Sequence, residues 1–167
     1  TGLKRVGFFH ADSDVGRQHL ENVKLAAGEA GAAFALGIPF KSDVSDEQLK
    51  ALAHQIAQEK VEMVLNHGSP SVFARLIRFT RAAGSNANFL AVNSGSTQMA
   101  ASLGELAHGM VFSQVMPNPW ARKTTIVREY QDAFARASPG RDFSYGSLEG
   151  YVTAKALVTA LRLAGRQ

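Results

Sequence analysis

Residues 4–16 read Lys-Arg-Val-Gly-Phe-Phe-His-Ala-Asp-Ser-Asp-Val-Gly, and this stretch limits the possible folds more than any other. An apolar run from Val6 to Phe9 gives way abruptly to the polar residues 10–14, and Gly16 then opens a long helical pattern. A short, almost unbroken apolar run is what a strand buried on both faces looks like. A polar loop straight after it, leading into a helix, is the βα turn of an α/β domain. Ligands of open α/β sheets sit beyond the carboxyl ends of the strands. Residues 10–15 are therefore read as one wall of a binding site.

The rhythm repeats. Leu20, Val23, Ala27 and Ala30 recur at helical spacing, which predicts a helix over 16–30 with Gly31 just past its end. A weak second strand over 32–38 is expected to stop at Pro39. Ser45 and Gln48 form a capping box for a helix over 46–60 that turns Leu49, Leu52, Ala53 and Ile56 inward. A third strand over 61–65 leads into the polar loop 66–71. A helix over 72–83, with Ser71 as a candidate N-cap and Gly84 at its end, comes next. A fourth strand over 89–92, the loop 93–96, a short helix over 97–103 and a fifth strand over 110–115 complete the series.

Five strands separated by helices must be parallel, with right-handed crossovers. The expected fold is α/β, a three-layer doubly wound parallel sheet with flavodoxin-like strand order 2-1-3-4-5. Its switch point lies between the first and third strands, where the loops 10–15 and 66–71 meet. After Pro117 and Pro119 the rhythm breaks. Two helices follow, over 121–137 with Ile126, Tyr130 and Phe134 on one stripe, and over 147–163 with Tyr151, Ala154, Leu157, Val158 and Leu161.

Composition removes several functions. The 167 residues are 46% apolar and 19% charged, as in a folded domain, and the net charge of +4 comes with no long basic cluster, so no nucleic-acid partner is expected. No apolar run could span a bilayer, and residues 1–4 do not resemble a signal peptide. The absence of cysteine excludes disulfides and thiolate chemistry.

Motif chemistry is equally sparse. The first strand is not followed by Gly-x-Gly-x-x-Gly, there is no phosphate loop, and Ser94-Gly95-Ser96 does not fit a nucleophile elbow, so neither cofactor nor enzyme activity is expected. A phosphorylatable receiver of this strand order needs Asp and Lys where Asn66 and Gln114 stand. Two imidazoles and two carboxylates, His10, Asp12, Asp14 and His67, are donors a divalent metal accepts, yet their spacing fixes no geometry and no metal ligands are assigned. What remains is a set of hydroxyl, amide and imidazole groups at strand ends, Ser69, Ser71, Asn93, Ser94 and Gln114 among them, suited to hydrogen-bonding a small polar ligand. Trp120 and Tyr145 are read as packing aromatics of the last helices.

Taken together, several segments resemble the second half of a type I periplasmic substrate-binding protein of the branched-chain amino acid (Leu/Ile/Val-binding) ABC transporter family. They are His10-Ala-Asp12-Ser-Asp14-Val-Gly16, Pro39-Phe-Lys-Ser-Asp43-Val-Ser45, Leu76-Ile-Arg-Phe-Thr-Arg-Ala-Ala-Gly84, Leu106-Ala-His-Gly109-Met-Val, Tyr130-Gln and Ser147-Leu-Glu-Gly-Tyr151. The resemblance runs from about Lys4 to Gly165.

The resemblance implies two α/β lobes around a ligand cleft. Residues 1–116 would be the second lobe, Met116, Pro117 and Asn118 a hinge crossing, and the helices within 117–167 would belong to the first lobe, whose sheet would precede residue 1. Half a cleft and two helices without their usual partner imply self-association or repacking of those helices onto the sheet. The family's aromatic contact falls at Val15 and its acidic contact near Ser71-Val72, so neither is kept here. The implied ligand is amino-acid-like or an organic acid, held by His10, Asp12, Asp14, Val15, His67, Ser69, Ser71, Asn93, Ser94 and Gln114. The implied role is the solute-binding component of an ABC importer, periplasmic, exported by a signal peptide outside this chain and read by a membrane permease. A ligand-sensing domain of a signalling protein on the same fold is the alternative.

Overall fold

The computed structural model describes residues 2, 4–92 and 96–165. The chain divides into two compact units, Thr1–Ser113 and Gln114–Gln167.

The first unit alternates strands and helices in the expected order: β1 Arg5–Ala11, α1 Asp14–Glu29, β2 Ala33–Phe40, α2 Asp46–Gln58, β3 Met63–His67, α3 Pro70–Ala82, β4 Asn88–Ala91, α4 Ser96–Leu103 and β5 Val111–Phe112. All pairings are parallel, and the sheet order is β2-β1-β3-β4-β5. Alternation along each strand separates two faces. Phe9, Ile38, Val64 and Phe89 point to the side covered by α2, α3 and α4, where Leu49, Ile56, Phe73, Leu76 and Ile77 join them in the main core. Phe9 stacks on Phe40 at 4.3 Å between ring centroids, and Phe73 meets Phe89 edge-on at 5.7 Å. On the other face, Val6, Met63 and Leu65 lie opposite Val23 and Ala26 of α1 and Ala30 at its C-cap.

Local sequence rules explain most element ends. Ser45 and Gln48 make both hydrogen bonds of the capping box, 3.2 Å and 2.9 Å, at the start of α2. Ser13 caps α1 by accepting from the Gly16 amide at 3.1 Å.

Four boundary expectations are corrected. Pro39 does not end β2; it pairs with His10 and the strand runs on to Phe40. β2 is an edge strand, so an imide lacking N–H on its open side leaves no ladder bond unmade. Asn66 and His67, expected in a loop, are the last residues of β3, since pairing with β1 continues to His10↔His67. Ser69 rather than Ser71 stands at the N-cap of α3, because Pro70 suits the first helical position. β5 is only Val111–Phe112, so Gln114 is not at a strand end but in the second unit.

The second unit holds α5 Thr125–Ala137 and α6 Tyr145–Ala164, each shifted by a few residues from its expected start. Val127, Tyr130 and Leu148 form its buried centre, with Ile126, Phe134, Phe143 and Tyr151 around them. The Tyr130 hydroxyl lies 2.6 Å from Ser147 Oγ, and Ser144 and Ser147 cap α6 with a reciprocal pair of bonds. Trp120 and Tyr145 meet edge-on at 5.6 Å, a packing contact. The distal half of α6 is bare: Leu157, Leu161 and Leu163 are 60%, 61% and 84% exposed.

Candidate functional site

The carboxyl ends of β1 and β3 carry the residues that the sequence singled out, and the structure sorts them into three groups. His10 and His67 are neighbours across β1 and β3. Both face α1, whose His19 ring lies 4.0 Å from that of His67, tilted by 42°. His10 is 2% exposed and stacks on Phe8. Its Nδ1 donates to the Ala11 carbonyl oxygen, which can only accept, at 2.9 Å. Among the described residues neither His10 Nε2 nor His67 Nδ1, both buried, has a hydrogen-bond partner. Burial pushes the His67 imidazole below its ordinary pKa of 6.5, and charge on His19 and on His10 pushes the same way.

The second group is the loop. Arg17 donates to Asp12 at 2.8 Å and to Asp14 at 2.7 Å, so one guanidinium of α1 gathers both carboxylates. Val15 is 57% exposed beside them. The loop is drawn in tightly, for a Cβ at Gly16 would overlap the Ala11 carbonyl oxygen and lie 3.1 Å from His10 Nδ1.

The third group is the start of α3. Ser69 and Ser71 share a hydrogen bond of 2.9 Å, and the Ser69 side chain caps no helical amide. Asn66, 5% exposed, points to the face opposite the histidines, and its Oδ1 has no partner among the described residues. A hollow of about 490 Å³ opens beside the loop, with Phe40, Val44 and Leu52 as its apolar lining and Asp12, Lys41 and Asp43 around them.

Of the residues expected to line a site, His10, Asp12, Asp14, Val15, His67, Ser69 and Ser71 do gather at adjoining strand ends. His10 is a correction: it is sealed beneath α1 and its ring is not on an open wall. Gln114 is in the second unit, and Asn93 and Ser94 lie outside the described residues. No three acidic, His or Cys groups among the described residues are placed to hold a metal ion. His19 is the residue that the sequence reading missed. A signal for it exists: His19, Val23, Ala26 and Ala30 share one helical stripe, so an imidazole there faces the sheet.

A five-stranded parallel sheet in this order, with polar strand ends at its switch point, matches known proteins. The sequence profile of the periplasmic binding protein family matches residues 1–167. The chain belongs to that family. No curated protein matches it. Among solved structures, a possible leucine/isoleucine/valine-binding protein from Rhodopirellula baltica SH 1 is similar at 27% identity and a TM-score of 0.82, over 99% of this chain and 46% of that one. A leucine-binding protein from Thermotoga maritima MSB8 shares the fold at 21% identity and a TM-score of 0.79, over 98% of this chain and 46% of that one. A fatty acid ABC transporter substrate-binding protein from Thermomonospora curvata shares it at 23% identity and 0.73, over 92% and 39%. This periplasmic binding protein sequence thus spans less than half the length of these structures. The family is one of binding proteins rather than enzymes. Among the described residues no helix is long and apolar enough to cross a membrane.

Proposed function

We propose that the chain is part of the solute-binding component of an ABC importer, working in the periplasm and read by a membrane permease when its cleft closes on ligand. The observation that carries this reading is the family match over residues 1–167. The structures it resembles are named for leucine, for leucine/isoleucine/valine and for fatty acid, ligands that share a carboxylate and an apolar body. An amino-acid-like or organic-acid solute suits that range. On this lobe the ligand would meet Asp12, Val15, His67, Ser69 and Ser71 at the ends of β1 and β3 and the start of α3, together with the loop holding Asn93 and Ser94.

On this reading residues 1–116 are one lobe, Met116, Pro117 and Asn118 belong to a hinge crossing, and α5 and α6 pack on the other lobe. The bare Leu157, Leu161 and Leu163 support that assignment, since so much exposed apolar surface is otherwise a liability for self-association.

The test is a thermal-shift screen of the full-length protein against amino acids, aromatic acids, amides and small dicarboxylates. A ligand specific for the native state raises the midpoint progressively once its concentration exceeds its dissociation constant. A concentration-dependent rise for one class is expected. A flat response across the panel, in protein shown by circular dichroism to be folded, would overturn the reading.

A further inference from the structure

We infer that His19 of α1 and His67 of β3, the latter paired with His10 of β1, form a proton-sensitive latch that docks α1 on the sheet at neutral pH and loosens it in acid. Three imidazoles from three elements converge here: His10 from β1, His67 from β3 and His19 from α1. The rings pack closely, His67 against His19 at 4.0 Å and His10 on Phe8 at 5.3 Å. His10 Nε2 and His67 Nδ1 are both buried with no hydrogen-bond partner among the described residues, so a proton held on either would go unpaired.

The surrounding charges offer no relief. Asp12 and Asp14 are the nearest carboxylates of the loop and the first turn of α1, and both are engaged by Arg17. Further along α1, Glu21 is paired with Lys24. No carboxylate acts on His67; the charges that do are those of His19 and His10, and both are repulsive. On β1 and β3 the facing neighbours Phe8 and Leu65 are apolar. Protonation therefore places like charges against one another inside a packed joint, and the outcome that relieves them is separation of α1 from the strand ends.

The sign follows from linkage. His67 binds its proton more weakly when folded than at its ordinary value of 6.5. The docked state is then fully favoured above pH 6.5 and loses ground as pH falls from there through the lowered folded value. Because the folded form binds the proton more weakly, acid favours undocking. Gly16 ties the start of α1 to Ala11 and the loop, so loosening the helix also moves the wall formed by Asp12 and Val15. The latch is independent of the solute reading, because its readout needs no ligand.

The experiment is hydrogen exchange by mass spectrometry on the full-length protein at pH 7.5 and pH 5.5, corrected for the intrinsic pH dependence of exchange. Peptides spanning α1 are expected to lose protection selectively in acid, while peptides from α3, on the other face, hold theirs. His67→Asn, which cannot charge, should abolish that selective loss. Equal loss in α1 and α3, or an unchanged α1, would overturn the latch. Should the variant not fold, NMR titration of the wild-type imidazoles decides: a His67 midpoint below 6.5 that senses His19 supports it, and a midpoint at or above 6.5 overturns it.

Discussion

The ring of Phe40 occupies the space that a side chain at Gly68 would need, with Cε1 2.6 Å from where a Cβ would stand. Phe40 is 6% exposed and stacked on Phe9, so giving way to a side chain at Gly68 would break that stack. Gly68→Ala should therefore destabilise the first unit by about 1–3 kcal/mol, as overpacking of a filled core does. Chemical denaturation followed by circular dichroism checks this, and Phe40→Leu in the same background should recover part of the loss.

The capping box of α2 stands at the head of a helix that buries Leu49, Ala53 and Ile56. Ser45→Ala removes the acceptor for the Gln48 amide and should cost about 1 kcal/mol. Ser45→Asp should restore most of it, since aspartate also caps. Equal urea midpoints for the wild type and Ser45→Ala would refute the prediction.

Glu62 accepts from the backbone amides of Lys4 at 2.5 Å and Arg5 at 3.0 Å, which pull its carboxyl below the ordinary 4.5. A lowered carboxylate contributes stability that is present above 4.5 and is lost as pH falls through the folded value. Glu62→Gln should therefore be less stable than the wild type at pH 7, and the difference should shrink toward pH 3. Urea midpoints at the two pH values make the comparison.

In the second unit the Tyr130 hydroxyl bonds Ser147 Oγ at 2.6 Å and accepts from the Ser144 amide at 3.3 Å. The ring itself, 1% exposed, packs on Phe134, Phe143 and Tyr151. Tyr130→Phe keeps the ring and should cost about 1 kcal/mol, whereas Tyr130→Ala also opens a cavity and should cost about 3–5 kcal/mol. Hydrogen exchange in peptides of α5 and α6 reads both, with β1 and β3 expected to be unaffected.

Much of the fold was legible because local chemistry carried it. The apolar runs around Phe9, Val64 and Phe89, each followed by polar residues and a helical stripe, specify a doubly wound parallel α/β sheet, and the flavodoxin-like order 2-1-3-4-5 expected of it is the one observed. Ser45 with Gln48, and Gly31 and Gly84 just past their helices, mark ends that depend on hydrogen bonds a few residues apart.

The boundaries that failed depend on partners distant in sequence. Pro39 stays in a strand only because β2 is an edge, and His67 is strand rather than loop only because β1 extends to pair with it. The candidate site divides in the same way. Which residues end the strands could be read from their order, since polar groups must follow an apolar run. That Arg17 would gather Asp12 and Asp14, that His10 would be sealed under a helix, and that His19 would complete a trio with His67 was decided by tertiary structure alone. Periodicity tells which face a side chain takes, but burial, charge and the pKa of an imidazole depend on what the rest of the chain brings to that face.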